Sequence, residues 1–86
     1  MELTEDYVLG LLKKTETALV SVEIVEEGGQ RVLDMATRYL EDAIHFFEKG
    51  DLEKAMAAEE YSHGLLDGGV GTGALRVIQN EDLFVF

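Results

Sequence analysis

Two residues, Gly50 and Asp51, divide a long proline-free run of helix-forming sequence and constrain the fold more than any other feature. Before them, Val32, Leu33, Ala36, Tyr39, Leu40, Ala43, Ile44, Phe46 and Phe47 recur at helical spacing and fill an arc about 160° wide. That arc is too broad for a single neighbour and suits a helix packed against two. After them, Leu52, Ala55, Ala58, Ser62 and Leu66 form a face of mostly small residues that allows close helix approach. Gly50 is placed to take the left-handed conformation that ends one helix, and Asp51 to cap the next. "EKGDLEKA" therefore predicts a tight helix–helix hairpin.

A further helix is predicted upstream. Thr4 is a plausible N-cap, and Glu5 and Asp6 follow in the first turn, where the helix dipole favours anions. Val8, Leu11, Leu12, Thr15, Ala18, Leu19 and Val22 lie on one helical face, so the pattern extends to Ile24, with Gly28-Gly29 as the stop. The expected architecture is all-α: an antiparallel up–down–up three-helix bundle with helices at about 4–24, 30–49 and 51–71, forming one domain over residues 1–86. The tail ends in Leu83, Phe84, Val85 and Phe86, a run expected to dock on the bundle or on a partner, including a second copy of the chain.

The stretch "DGGVGTGALR" raises a nucleotide question, since Gly69, Gly71 and Ala74 spell one form of the dinucleotide fingerprint. That motif needs a strand before the glycines and a helix after them, with an acidic residue about 20 positions on. Here a helix precedes them and the chain leaves no room for a βαβ unit. Read as a phosphate loop, Gly68 and Gly73 are followed by Ala74 where lysine is required. Neither phosphate reading stands, and no cofactor is expected. The packing reading puts Gly69 and Gly73 on the face of Ala55, Ser62 and Leu66, with the helix continuing to Gly71.

Composition narrows the partners. The formal net charge is −11, from 18 acidic and 7 basic residues, which opposes broad nucleic-acid or anionic-membrane binding. It permits a basic protein partner or divalent cations. There is no cysteine, so disulfides and thiolate metal sites are excluded. "MELTEDYVLG" does not read as a signal peptide, and no apolar segment approaches the roughly 18–20 residues of a membrane span. A cytoplasmic protein is the simplest expectation.

The string "ATRYLEDAIHFFEKGDLEKAMAAEEYSHGLLDGG" carries a recognisable set: Tyr39, Asp42-Ala43, Phe46, Gly50-Asp51, Ala55, Tyr61, Gly64, Leu66 and Asp67. It resembles the family of small archaeal proteins known as Domain of Unknown Function 357. The resemblance implies a three-helix bundle and an archaeal source, and it implies no activity. After Asp67 the glycines depart from the family's more helix-friendly run.

Three constellations bear on function. Asp42-x-x-His45 and Glu60-x-x-His63 echo the carboxylate–histidine pairs of di-iron bundles. In a hairpin turning at Gly50 the two histidines fall about 12 Å apart along the axis, too far to share an ion, so both are expected on exposed, charged faces. Arg38 and His45 have the Arg-x6-His spacing of HEPN-type ribonucleases, in which the histidine does acid–base work; a surface ion pair of Arg38 with Asp42 or Glu41 explains that arginine more simply. The remaining polar set is Tyr39, Asp42, Glu59, Tyr61, His63 and Asp67. Asp42 is expected to accept a tyrosine hydrogen bond that fixes the hairpin, or to line a groove with Tyr39, Glu59 and His63. Glu59, central on an apolar face, needs a partner or a task. The leading functional expectation is a non-enzymatic protein-interaction module; the alternatives are a ribonuclease using Arg38 and His45, and an acidic binder of divalent cations or small ligands.

Overall fold

Helix α1 spans Glu5–Leu19 in the computed structural model, which describes residues 2–86. The Thr4 hydroxyl accepts from the Tyr7 amide at 3.1 Å, and Glu5 and Asp6 occupy the first turn. Val8, Leu12, Thr15 and Ala18 form the buried stripe. The helix stops five residues earlier than the apolar periodicity predicts. Val20 caps it, the chain turns at Ser21, and Val22–Ile24 is strand β1. Three β-branched residues among Val22, Ile24 and Val25 disfavour helix and suit a pleated ribbon.

The partner of β1 is strand β2, Leu75–Val77, in antiparallel register with Val22 opposite Val77, Glu23 opposite Arg76 and Ile24 opposite Leu75. On the exposed side Arg76 and Glu23 form an ion pair across the ribbon. Ser21 anchors one end: its carbonyl accepts from the Ile78 amide at 2.8 Å, and its hydroxyl accepts from the Asn80 side chain at 2.9 Å. At the other end the Ala74 carbonyl accepts from the amides of Val25 and Glu26 at 2.9 and 3.4 Å. A two-stranded ribbon is marginal alone. Here Val22 and Leu75 bury their inner faces against the helices.

Helix α2 covers Glu27–Glu48 and helix α3 Leu52–Gly71. The hairpin between them is as predicted, with Gly50 at φ +82° and the Asp51 side chain accepting from the Lys54 amide at 3.1 Å. Helix α2 starts three residues before the expected position. Gly28 and Gly29 belong to its first turn rather than ending α1, and Gly29 permits close approach: a Cβ there would run into the Ala74 carbonyl oxygen.

The three helices form a bundle, with α1 laid across the α2/α3 hairpin. One part of the core joins Ala18, Val22, Ala36, Leu66, Leu75 and Phe84, and the other joins Leu12, Leu40 and Ala43. Between α2 and α3 the Ser62 hydroxyl donates to the Ala36 carbonyl at 2.7 Å. The glycine-rich stretch remains helical to Gly71, as predicted. Gly69 is its tight point, because a Cβ there would lie 2.7 Å from Leu75 Cδ1 and 3.1 Å from Val32 Cγ1. Gly73 does not share that face; it lies beyond the helix at φ +85°, where the chain turns into β2.

The tail docks only in part. A short 3-10 turn at Glu81–Leu83 brings Phe84 into the core and leaves Leu83 half-buried, while Val85 and Phe86 are 77% and 72% exposed. No helix among the described residues is long and apolar enough to cross a membrane.

Candidate functional site

The predicted polar set separates into two places on opposite sides of α3. Glu59, His63 and Asp67 recur at four-residue steps and therefore stack along one stripe. That stripe meets α1 and the returning tail. Glu59 is 1% and His63 8% exposed, so the expectation of an exposed His63 is corrected. Its burial depends on the tail, whose Phe84 ring lies 6.0 Å from the imidazole.

Thr15 links the two. Its hydroxyl donates to Glu59 Oε2, and its oxygen is 3.0 Å from His63 Nδ1. On the other side of the ring, Nε2 is 2.7 Å from the Leu83 carbonyl oxygen. A carbonyl only accepts, so Nε2 carries a hydrogen. Thr15 has one hydrogen to give. With that hydrogen given to Glu59 Oε2, the Thr15 oxygen faces Nδ1 as an acceptor. Thr15 is thereby the link through which two polar side chains share a buried site.

Asp67 extends this stripe. Its Oδ1 accepts from the Val85 amide at 3.2 Å, and its Oδ2 is 3.8 Å from His63 Nε2. His63 and Asp67 therefore strap the tail to α3 by its backbone. Among the described residues Glu59 Oε1, which is buried, has no hydrogen-bond partner. The chemistry of acids and bases is present here, on two side chains that are both buried.

Tyr39, Asp42 and Tyr61 lie elsewhere. With Phe46, Lys54, Ala57 and Ala58 they line a groove of about 370 Å³ on the outer side of the α2/α3 hairpin. Residues 39, 42 and 46 supply one wall from α2, and residues 54, 57, 58 and 61 the other from α3, each at helical steps. The two alanines keep the groove open. The Tyr39 and Tyr61 rings pack across it with centroids 4.4 Å apart and planes tilted 42°. Lys54 Nζ stands 5.7 Å from the Phe46 ring centroid. Glu59 and His63 take no part, so the expected four-residue groove is corrected to this one. The expected tyrosine hydrogen bond to Asp42 is not among those formed by the described residues; Asp42 is exposed.

Arg38 and His45 are both exposed on α2. Arg38 borders two shallow depressions, one with Met35, Tyr39 and Asp42, and it joins no ion pair among the described residues. His45 has the Phe46 ring as its aromatic neighbour, centroids 6.3 Å apart. Among the described residues no three histidine, aspartate or glutamate side chains are grouped to hold a metal ion.

Thr15 is the site residue that sequence reasoning missed. A signal existed: Thr15 is the one polar member of the α1 stripe, and Glu59 the one charge within the α3 face. Two lone polar groups on apolar faces of adjoining helices are natural partners. Nothing comparable announces the Leu83 carbonyl.

A family described as "Protein of unknown function (DUF357)" matches residues 11–75, from within α1 to the start of β2. No curated protein and no solved structure matches the chain. The matched span holds both the Thr15–Glu59–His63 network and the Tyr39–Tyr61 groove, and it covers well over half of the sequence. The chain is a member of the DUF357 family, whose name assigns no activity.

Proposed function

We propose that this protein is a non-enzymatic interaction module that docks a protein partner in the groove between α2 and α3. The observation behind this reading is the Tyr39–Tyr61 pair. Tyr61 is 53% exposed yet stacked in place, so a partner meets a preformed aromatic surface at little entropic cost. In the bundle interior Glu59 and His63 are both engaged by the Thr15 hydroxyl. Photo-crosslinking in the native host tests the reading. A crosslinking amino acid at Ala57, which is exposed and lines the groove, should capture a discrete partner, and one at the exposed Glu16 of α1 should not. Equal capture from both positions would remove the groove as the docking surface. Cleavage of structured RNA that disappears in His45→Ala would overturn the non-enzymatic reading.

The exposure of Val85 and Phe86 favours a second reading, self-association through the tail. Only these two of the four terminal apolar residues remain for it, since Phe84 is in the core and Leu83 packs against it. Sedimentation analysis should show a dimer that becomes monomeric on Val85→Ser with Phe86→Ser; a monomer at all concentrations ends this reading.

A further inference from the structure

We propose that the groove accepts a lysine or arginine side chain of its partner, an inference that rests on the docking reading above. Tyr39, Tyr61 and Phe46 line a single groove, and Asp42 is the one carboxylate among the described residues that line it. Aromatic faces carry negative electrostatic potential, and a carboxylate beside them completes the chemistry that holds an ammonium or guanidinium. The chain itself shows this affinity. Lys54 places its ammonium over Phe46 within the range of a cation–π contact, although its side chain is 67% exposed and free to choose water. The same ammonium is 3.8 Å from Asp51, which lies outside the groove, so Lys54 stands at the groove's edge between the two contacts.

Long-range electrostatics act in the same sense. A chain of net charge −11 attracts a basic surface from a distance and repels an acidic one. The groove then selects within that field, because an aliphatic stem packs on Ala57 and Ala58 while the charged head meets the rings and Asp42. Within the groove an incoming cation is opposed by Lys54, while Arg38 lies outside it in the depression next to Tyr39 and Asp42. That makes the sign of the Lys54 effect diagnostic: removing Lys54 strengthens binding of a cation and weakens binding of an anion.

The test is a chemical-shift titration at low salt with three capped peptides of equal length: arginine–alanine, citrulline–alanine and glutamate–alanine. Citrulline keeps the shape of arginine without the charge. The arginine peptide should shift the resonances of Tyr39, Asp42 and Tyr61 together, Asp42→Asn should weaken it about tenfold, and Lys54→Gln should tighten it about threefold. The citrulline and glutamate peptides should leave the groove unperturbed. The inference is overturned if citrulline binds the groove as well as arginine does, if Lys54→Gln weakens the arginine peptide, or if arginine shifts are spread over the acidic surface and Asp42→Asn leaves them unchanged. The docking reading itself fails by a separate result, the equal crosslinking from Ala57 and Glu16. Asp42, Lys54 and Tyr61 are exposed, so the variants fold and the titration reads binding.

Discussion

Helix α3 presents the same kinds of residue to two different fates. On the side toward α1, Glu59 and His63 are enclosed, and both engage the Thr15 hydroxyl. On the side toward solvent, Tyr61 and Tyr39 stack in an open groove bordered by Asp42 and Lys54. The difference lies in the third layer. Helix α1 and the tail cover one flank of the α2/α3 hairpin, and among the described residues nothing covers the other. Polar groups under a cover must satisfy their hydrogen bonds internally, whereas those on the bare flank keep their capacity for another molecule. Chemical type alone therefore does not decide which polar residues stay open to another molecule; enclosure does.

The largest effect should come from breaking the enclosed side. Thr15→Val keeps the shape and removes the only hydroxyl between Glu59 and His63, leaving two buried polar groups without their shared partner. Unfolding by urea should register a loss of about 3 kcal/mol. Adding Glu59→Leu should recover part of that loss, because a fully apolar replacement leaves fewer stranded groups than half a network. A loss below about 1 kcal/mol for Thr15→Val would mean that solvent reaches the network and that the contrast between the two flanks is overstated.

Adjacent glycines offer the same contrast at smaller amplitude. A Cβ at Gly29 meets the Ala74 carbonyl oxygen, which also receives the amides of Val25 and Glu26, so it cannot move without opening the ribbon. Gly28, one residue earlier, has nothing within 4 Å of the corresponding position. Gly29→Ala should cost about 2 kcal/mol by thermal melting, and Gly28→Ala should be neutral or stabilise by up to about 0.5 kcal/mol. Equal responses at the two positions would contradict the packing of β2 against the start of α2.

What could be read from the sequence follows the distance over which each feature is determined. The hairpin at Gly50-Asp51 was legible because a left-handed glycine and a capping aspartate are local requirements. The end of α1 was not. Val22 continues the helical spacing from Ala18 and Leu19, yet Val22 and Ile24 also fit a strand, and the choice is made by Leu75–Val77 more than fifty residues away. Gly28-Gly29 read as a stop for the same reason: that Gly29 serves a close approach depends on Ala74, which only the fold brings near. Among site residues, Glu59 stood out on its face, but the burial of His63 required a tail that returns over α3. Tyr39, Asp42, Glu59 and His63 do not share one groove, because helical spacing places residues on a face without saying what covers it.

Tyr61→Ala should give the smallest change in stability and the most direct view of the open side. The substitution removes one ring of a stacked pair and a side chain that is half in water, so melting should show a loss of no more than about 1 kcal/mol. Thr15→Val should leave the surface of the groove unchanged while the fold weakens, so the two variants separate stability from recognition in opposite directions. A loss for Tyr61→Ala comparable to that of Thr15→Val would place the tyrosine pair among the supports of the hairpin. The groove would then be a by-product of packing. A small loss leaves a solvent-facing aromatic pair that the fold does not need, and a preformed surface with little structural duty is the kind that a partner uses.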